Sequence, residues 1–307
     1  MSSLEAGKAI HDGIVRVYPD AQVVVRPLAD GGEGTVEALT LGMKGKFEKV
    51  CVTGPSGEKV EAVYGILEVS DTIDKKTAII EMSAAAGITL VADENRNPLK
   101  TTTYGVGEII KDAIGKGCRH FIVGIGGSAT NDGGIGMLQA LGYGILNQEG
   151  NQVPFGAEGL HDIVQITEEH VIPELKECTF RVACDVTNAV LESGIKIVLE
   201  ETKLEEYVKD ADIVITGEGR LDGQTAMGKA PIGVADIAKK YGRKVIAFSG
   251  CVTEDAAVCN EYGIDAFFPI LRSVGTLADA MNSQNARANM METVEQVFRL
   301  IKCFLVN

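Results

Sequence analysis

Short apolar runs dominated by valine and isoleucine recur along the chain, and three of them end in glycine-rich stretches that lead into helical periodicity. "QVVVRPL" precedes "ADGGEGTVEALT", "RHFIVGI" precedes "GGSATNDGG", and "DIVITGEGR" precedes "KAPIGVADIAKKYG". An apolar run of this length bounded by turn residues predicts a buried strand, and apolar spacing of three and four predicts a helix with one buried face. The repeated unit is therefore strand, loop, helix. From Ala211 onward it continues through "KVIAFSG" and "DAFFPIL" and closes on a predicted amphipathic helix, "ARANMMETVEQVFRLIKCFL". Another amphipathic helix is predicted at the start, where Ala9, Ile10, Ile14, Val15 and Val17 share a face. Alternating strands and helices imply a mostly parallel sheet covered by helices.

Residues 47–80 follow a different rhythm. "KVCVTGP", a turn around Ser56 and Gly57, then "KVEAVYGILEV" and "KTAIIEM" alternate at period two with short links, the pattern of an antiparallel meander. A second domain begins there. "TFRVACDV" supplies its last strand, and the chain returns to the first domain near residue 190. The expected fold class is α/β: one domain from residues 1–46 and 191–307, and a mixed α/β domain, residues 47–190, inserted between them.

Length agrees, since 307 residues exceed what one core usually organises. No run approaches the ~18 uninterrupted apolar residues of a membrane helix, and the first residues carry acids rather than the basic start of a signal peptide. Seven cysteines, odd in number and without C-x-x-C spacing, suggest neither a zinc site nor a disulfide framework, and a cytoplasmic location fits. The four histidines show no metal-binding spacing. A net charge of −14 disfavours nucleic acid and anionic membranes as partners. Small anions remain open, because a helix N-terminus with one or two local cations attracts them at short range.

The three glycine loops are where such an anion would bind. Glycine lets backbone N–H groups approach a ligand, and a carboxylate beside an anion needs a cation between them. Asp30 and Glu33, Asp132, and Glu218 and Asp222 stand in these loops, so a metal-bridged phosphate is suggested. Magnesium suits it, taking oxygen ligands and commonly bridging one or two carboxylates to nucleotide phosphates. The candidate ligand-binding positions are Gly31, Gly32, Gly34 and Thr35; Gly126, Gly127, Ser128, Thr130 and Asn131; and Gly217, Gly219, Arg220, Gln224 and Thr225. The plainer alternative is that Asp30, Asn131 or Asp132 caps a helix and the glycines only bend the chain.

Two sharper motifs fit poorly. "GIGGSA" matches G-x-G-x-x-A, with Glu149 twenty residues beyond Ala129, but "TNDGG" follows where a dinucleotide fold needs its helix at once. "GQTAMGKA" resembles a P-loop, yet Ala230 stands where Ser or Thr is required, and the strand "DIVIT" is expected to end at Thr216, with six residues between it and the opening Gly223. Lys229 still stands out, because Pro231 marks a helix start and a lysine there has no dipole reason to be present. Arg220 either clamps a carboxylate or pairs with Glu218 or Asp222. Thr102 or Thr103 is a predicted cap for "YGVGEIIKDAI", with a substrate contact as the alternative. Asp185 ends the apolar "FRVAC", where a carboxylate usually has a partner or a role.

Taken in order, "PLADGGEGTVEAL", "VTGPSGE", "NPLKTTTYGVGE", "GIGGSATNDGGIGMLQALG", "ACDVTN" and "DIVITGEGRLDGQTAMGKAPIGVA" resemble the bacterial glycerate kinases of the first type over nearly the whole chain. The resemblance implies ATP- and magnesium-dependent phosphorylation of D-glycerate, in the cleft between a flavodoxin-like domain built from both chain ends and the inserted domain. It implies small-molecule partners, D-glycerate and ATP, with a homo-oligomer allowed. The chain departs from the family twice. Family members open with a strand and an "APDSFKG"-like loop, whereas this chain opens on the following helix. After "CDVTN" they continue with "PLCG" and a run containing "GPQKGA", where "AVLESGIKIVLEET" follows here. Since losing a first core strand should unfold a parallel sheet, the expectation is that the native protein carries both pieces. An intact mass near 32.5 kDa would overturn it.

In phosphoryl transfer, catalysis is mostly positioning and charge neutralisation. Asp132 or Asp185 is expected to orient or deprotonate the glycerate hydroxyl. Arg220 and Lys229 are expected to hold the substrate carboxylate or the phosphates, and Asp30, Glu33 and Glu218 the metal. The 2-hydroxyl is favoured as acceptor. A non-catalytic nucleotide- or glycerate-binding regulator is the alternative if the two pieces are truly absent, and a nicotinamide-dependent dehydrogenase ranks last.

Overall fold

The computed structural model of the 307-residue chain describes every residue except 30, 31, 33, 70–73, 185–193 and 306–307. It divides into two compact units, the first from Met1–Asp30 with Val198–Asn307 and the second from Gly31–Ile197.

The first unit opens with helix α1 (Ser3–Val15), started by a capping box in which Ser2 and Glu5 exchange side-chain and backbone hydrogen bonds. The second unit follows. Helix α2 (Thr35–Gly42) lies against the strands of a meander, β1 (Lys46–Thr53), β2 (Lys59–Leu67) and β3 (Thr77–Glu81). Next come a single helical turn, α3 (Ser83–Ala86), helix α4 (Tyr104–Gly115), strand β4 (His120–Gly124) and helix α5 (Ile135–Ala140). A small antiparallel pair, β5 (Gly144–Leu146) and β6 (Gln165–Thr167), precedes strand β7 (Thr179–Ala183). The main sheet runs in the order β1-β2-β3-β4-β7, antiparallel as far as β3 and parallel from there to β7. Its core gathers Tyr64, Ile80, Ile109, Ile110 and Phe121 between the sheet and α4.

Helix α6 (Gly194–Glu201) carries the chain across the boundary, and α7 (Leu204–Val208) follows. The first unit then runs through strand β8 (Ile213–Leu221), helix α8 (Ala230–Lys240), strands β9 (Lys244–Val252) and β10 (Ala266–Pro269), and helices α9 (Leu277–Met281) and α10 (Ser283–Leu305). Its described sheet is parallel, in the order β10-β9-β8. Its core joins Ala9, Ile14 and Val17 of the amino-terminal segment to Phe248 of β9 and to Met290, Val294 and Phe298 of α10. No helix among the described residues is long and apolar enough to cross a membrane.

The two-unit, mixed α/β organisation agrees with the sequence pattern, and three details differ. The boundaries fall after Asp30 rather than at 46/47, because α2 packs on β2 and β3, and after Ile197 rather than near residue 190. "QVVVRPL" forms no ladder among the described residues: Pro27 has no N–H to donate, and the Leu28 N–H donates to the Ser3 hydroxyl at 3.0 Å. Strand β8 does not stop at Thr216 but pairs with β9 as far as Leu221. Gly217 makes that extension possible, since a Cβ there would collide with the carbonyl oxygen of Phe248 on β9.

Candidate functional site

Strand β4 lies between β3 and β7, and its carboxyl end delivers the loop 125–134. The chain's own hydrogen bonds shape that loop. Ile88 N–H donates to Gly127 O at 2.9 Å, Ala129 N–H to Ala86 O at 2.8 Å, and the Thr101 hydroxyl to Ala129 O at 2.7 Å. Gly127, Gly133 and Gly134 adopt φ of 70°, 62° and 81°, the left-handed region that other residues avoid. Gly134 caps α5, which starts only at Ile135. That late start removes the dinucleotide reading of "GIGGSA", whose helix would begin directly after the strand.

Asp132 is 1% exposed. Its carboxylate accepts from Thr103 N–H at 2.8 Å, the Thr103 hydroxyl at 2.9 Å, Gly134 N–H at 3.0 Å and Gly136 N–H at 3.3 Å. One side chain thus holds the amino ends of α4 and α5 together, which is the capping role. Thr103 is the N-cap residue of α4, but its hydroxyl donates to Asp132 and accepts from Met137 N–H rather than capping that helix, and the Thr102 hydroxyl accepts from Tyr104 N–H at 3.2 Å. Ser128 and Asn131 are exposed, and the Ser128 and Thr130 hydroxyls lie 2.9 Å apart. Beside them opens a concavity of about 250 Å³, lined by Arg96, Asn97, Thr101, Ser128, Thr130 and the apolar Ile88, Val91 and Pro98. The sequence reading missed Arg96 and Asn97, because "ENRNP" resembles any solvated charged turn.

Of the first glycine loop, Asp30, Gly31 and Glu33 lie outside the described residues, as does Asp185 after β7. Gly34 caps α2 with φ of 92°, and the buried Thr35 donates its hydroxyl to Gly32 O at 2.8 Å. The second amide of α2, Val36 N–H, donates at 2.8 Å to the Glu81 carboxylate at the end of β3. Glu81 is a second residue that sequence reasoning missed. Its signal was present, because an acid ending the apolar "TAIIE" is the same feature that singles out Asp185.

In the first unit, Gly217, Glu218, Gly219 and Arg220 belong to strand β8 rather than to a loop. The turn begins at Asp222, whose carboxylate accepts from Gln224 N–H at 3.0 Å and Thr225 N–H at 3.2 Å. The fully buried Thr225 donates its hydroxyl to Glu218. Arg220 pairs with Asp222 at 3.3 Å while remaining 65% exposed. The strand now reaches close to Gly223, so the distance argument against a P-loop falls. A different one replaces it: the amides that would cradle phosphate are occupied by Asp222, and Ala230 still lacks the hydroxyl. Lys229 forms the N-cap of α8, and among the described residues its ammonium has no hydrogen-bond or ion-pair partner. Burial pushes the Cys259 thiol above its usual range, and the charges of Glu218, Asp222 and Asp255 push the same way. Among the described residues no three His, Cys, Asp or Glu side chains gather as a metal cluster.

Parallel strands whose carboxyl ends carry hydroxyl- and glycine-rich turns define the class of α/β proteins that handle small ligands at strand ends. The sequence comparisons narrow that class. The model of the glycerate kinase family matches residues 1–191 and again 187–302, two matches that meet where the sequence departs from the family pattern. A glycerate kinase from Haemophilus influenzae is 40% identical over 367 aligned positions, covering 98% of this chain and 95% of that protein. A glycerate 2-kinase from Escherichia coli is 41% identical, covering 91% and 90%. The crystal structure of a Salmonella typhimurium LT2 protein assigned as glycerate kinase 2 superposes with a TM-score of 0.85 at 36% identity, covering 100% of this chain and 96% of that one. The chain belongs to the glycerate kinase family.

Proposed function

We propose that the chain is a glycerate kinase that transfers the γ-phosphoryl group of ATP to the 2-hydroxyl of D-glycerate, giving 2-phosphoglycerate and ADP. The observation that carries this reading is the match to named glycerate kinases across both compact units, at about two residues in five. The name of the Escherichia coli relative supports the 2-hydroxyl as acceptor. In the transfer, the bond from the γ-phosphorus to the ADP oxygen breaks, a bond to the glycerate oxygen forms, and the hydroxyl proton passes to a base.

The residues divide by environment. Asp132 has its oxygens engaged by four donor groups of the chain itself, so it serves to position the Ser128–Asn131 loop. Asp185 is then the proposed base. Lys229, a cation without a protein partner at a helix start, is the proposed phosphate ligand. Glu218 and Asp222, joined through the Thr225 hydroxyl, present only oxygen donors, which fits magnesium, and Asp30 and Glu33 are also proposed as metal ligands. Magnesium, when bound, would neutralise phosphate charge as transfer proceeds. We further propose a cytoplasmic location, where seven free cysteines stay reduced.

The test is a purified protein with ATP, magnesium and D-glycerate. The expected result is ADP formation that requires glycerate, with a product whose phosphorus couples to the C2 proton in NMR. No ADP above the glycerate-free control overturns the reading. The alignment to the Haemophilus relative spans 367 positions against 307 residues here, so that relative carries sequence absent from this chain. This favours one second reading, a binding protein without turnover, which thermal stabilisation by ATP or glycerate without ADP formation would mark.

A further inference from the structure

The concavity beside the Ser128–Asn131 loop joins one permanent cation to hydroxyl and amide groups over an apolar floor. Arg96 spends little of its fork on the protein. Its Nε donates to the Val91 carbonyl at 3.4 Å, and one Nη atom faces Asp93 at 2.7 Å. A guanidinium has five N–H donors in a plane, so most of its outer edge is left for a ligand. The Asp93 side chain is 85% exposed, and an exposed pair of this kind holds its partner weakly. Asn97 is fixed through its carbonyl, which accepts from Leu99 N–H at 3.1 Å, and its amide N–H₂ group has no protein acceptor among the described residues. Ser128 and Thr130 share hydrogen bonds with each other, leaving further hydroxyl capacity at the rim. Ile88, Val91 and Pro98 form the floor.

Size and charge select the ligand. A volume of 250 Å³ is about eight waters' share of the liquid, enough for a three-carbon acid and below the ~300–1,000 Å³ typical of sites for larger ligands. Asp93 and Glu94 flank the single arginine, so the site suits one negative charge and repels several. A hydroxy monocarboxylate meets both conditions, and a nucleoside triphosphate meets neither.

Resting on the glycerate kinase reading, we propose that this concavity seats the acceptor acid, with Arg96 gripping its carboxylate in two-point fashion and Asn97, Ser128 and Thr130 meeting its hydroxyls. Arg96 is then the specificity-determining residue that distinguishes a hydroxy acid from the corresponding polyol. Lysine would not replace it, because a point charge lacks the planar fork.

The experiment compares the wild-type protein with Arg96→Gln and Arg96→Lys, measuring KM for D-glycerate and for ATP, together with D-glycerate binding by calorimetry without nucleotide. Arg96 is exposed, so both variants should fold, and circular dichroism checks this. Losing a charged two-point contact is expected to raise the D-glycerate KM about 10- to 100-fold in Arg96→Gln, with the ATP KM within twofold of wild type. Arg96→Lys is expected to fall between. An active wild type whose D-glycerate KM is unmoved by Arg96→Gln overturns the proposal and leaves the kinase reading standing. A wild type without turnover that binds D-glycerate, more weakly in Arg96→Gln, removes the kinase reading and supports the site. A wild type that neither turns over nor binds the acid overturns both.

Discussion

Asp132 shows how a residue's partners bear on the choice between two plausible roles. A carboxylate in a glycine loop is a reasonable base or metal ligand, but this one is buried and accepts from two backbone amides of the α5 start and from Thr103. Replacing it leaves buried N–H groups unmatched, each costing roughly 1–3 kcal/mol. Asp132→Ala is therefore expected to lower stability by about 3 kcal/mol in urea unfolding. The loop's glycines and its acid were legible in the sequence as a turn between strand and helix. The acid's principal partner was not, because Thr103 lies 29 residues away and nothing local links the two. Arg96 was illegible for a related reason: a solvated charge and a ligand-facing charge look alike until the fold puts a concavity beside one of them.

Among the elements, β8 and β9 show what local patterns miss. Glycine within a Val/Ile run reads as the end of a strand, so "GEG" reads as a loop. In the structure Gly217 is where β8 presses against the Phe248 carbonyl. Gly217→Ala should cost about 2–3 kcal/mol by overpacking, read again as a shift of the urea midpoint. "QVVVRPL" fails in the opposite direction, since its β-branched residues predict a strand but no ladder includes it among the described residues. The meander, by contrast, was fully legible, because period-two alternation and a turn at Gly57 are local and its strands are sequence neighbours. The start of β9 also carries a pH signature. Burial acts to raise the Asp265 carboxyl, but Lys239 and Val245 N–H, with Lys244 beyond, outweigh it and hold the group below its ordinary 3.8. A carboxyl lowered in the folded state stabilises above its unfolded pKa and loses that contribution as pH falls through the lowered value. Asp265→Asn should be less stable than wild type by about 1 kcal/mol at pH 7, and the gap should narrow as pH falls below the ordinary 3.8 and close once it passes the lowered value, as followed by unfolding across a pH series.

Among the described residues each unit has a principal core of its own, one around Phe121 and Ile109, the other around Phe248 and α10. Calorimetry should therefore resolve more than one unfolding transition. Gly217→Ala should lower the transition of the first unit and Asp132→Ala that of the second. If both variants move a single shared peak, the units unfold together. That two units exist was legible from length and from the change of period near residue 47. Where the first ends was not, because α2 reads equally well as a partner of either sheet and only its packing on β2 and β3 decides. The pairing of α1 with α10 has a consequence for the protein's birth on the ribosome. Ala9, Ile14 and Val17 are covered by Met290, Val294 and Phe298, residues translated some 280 positions later. At ~5–20 residues per second, that stripe emerges and waits roughly 15–60 s for its cover. The second unit, one continuous stretch, can close meanwhile. A nascent chain released before Met290 would carry a helix without the α10 part of its cover, a natural mark for chaperones.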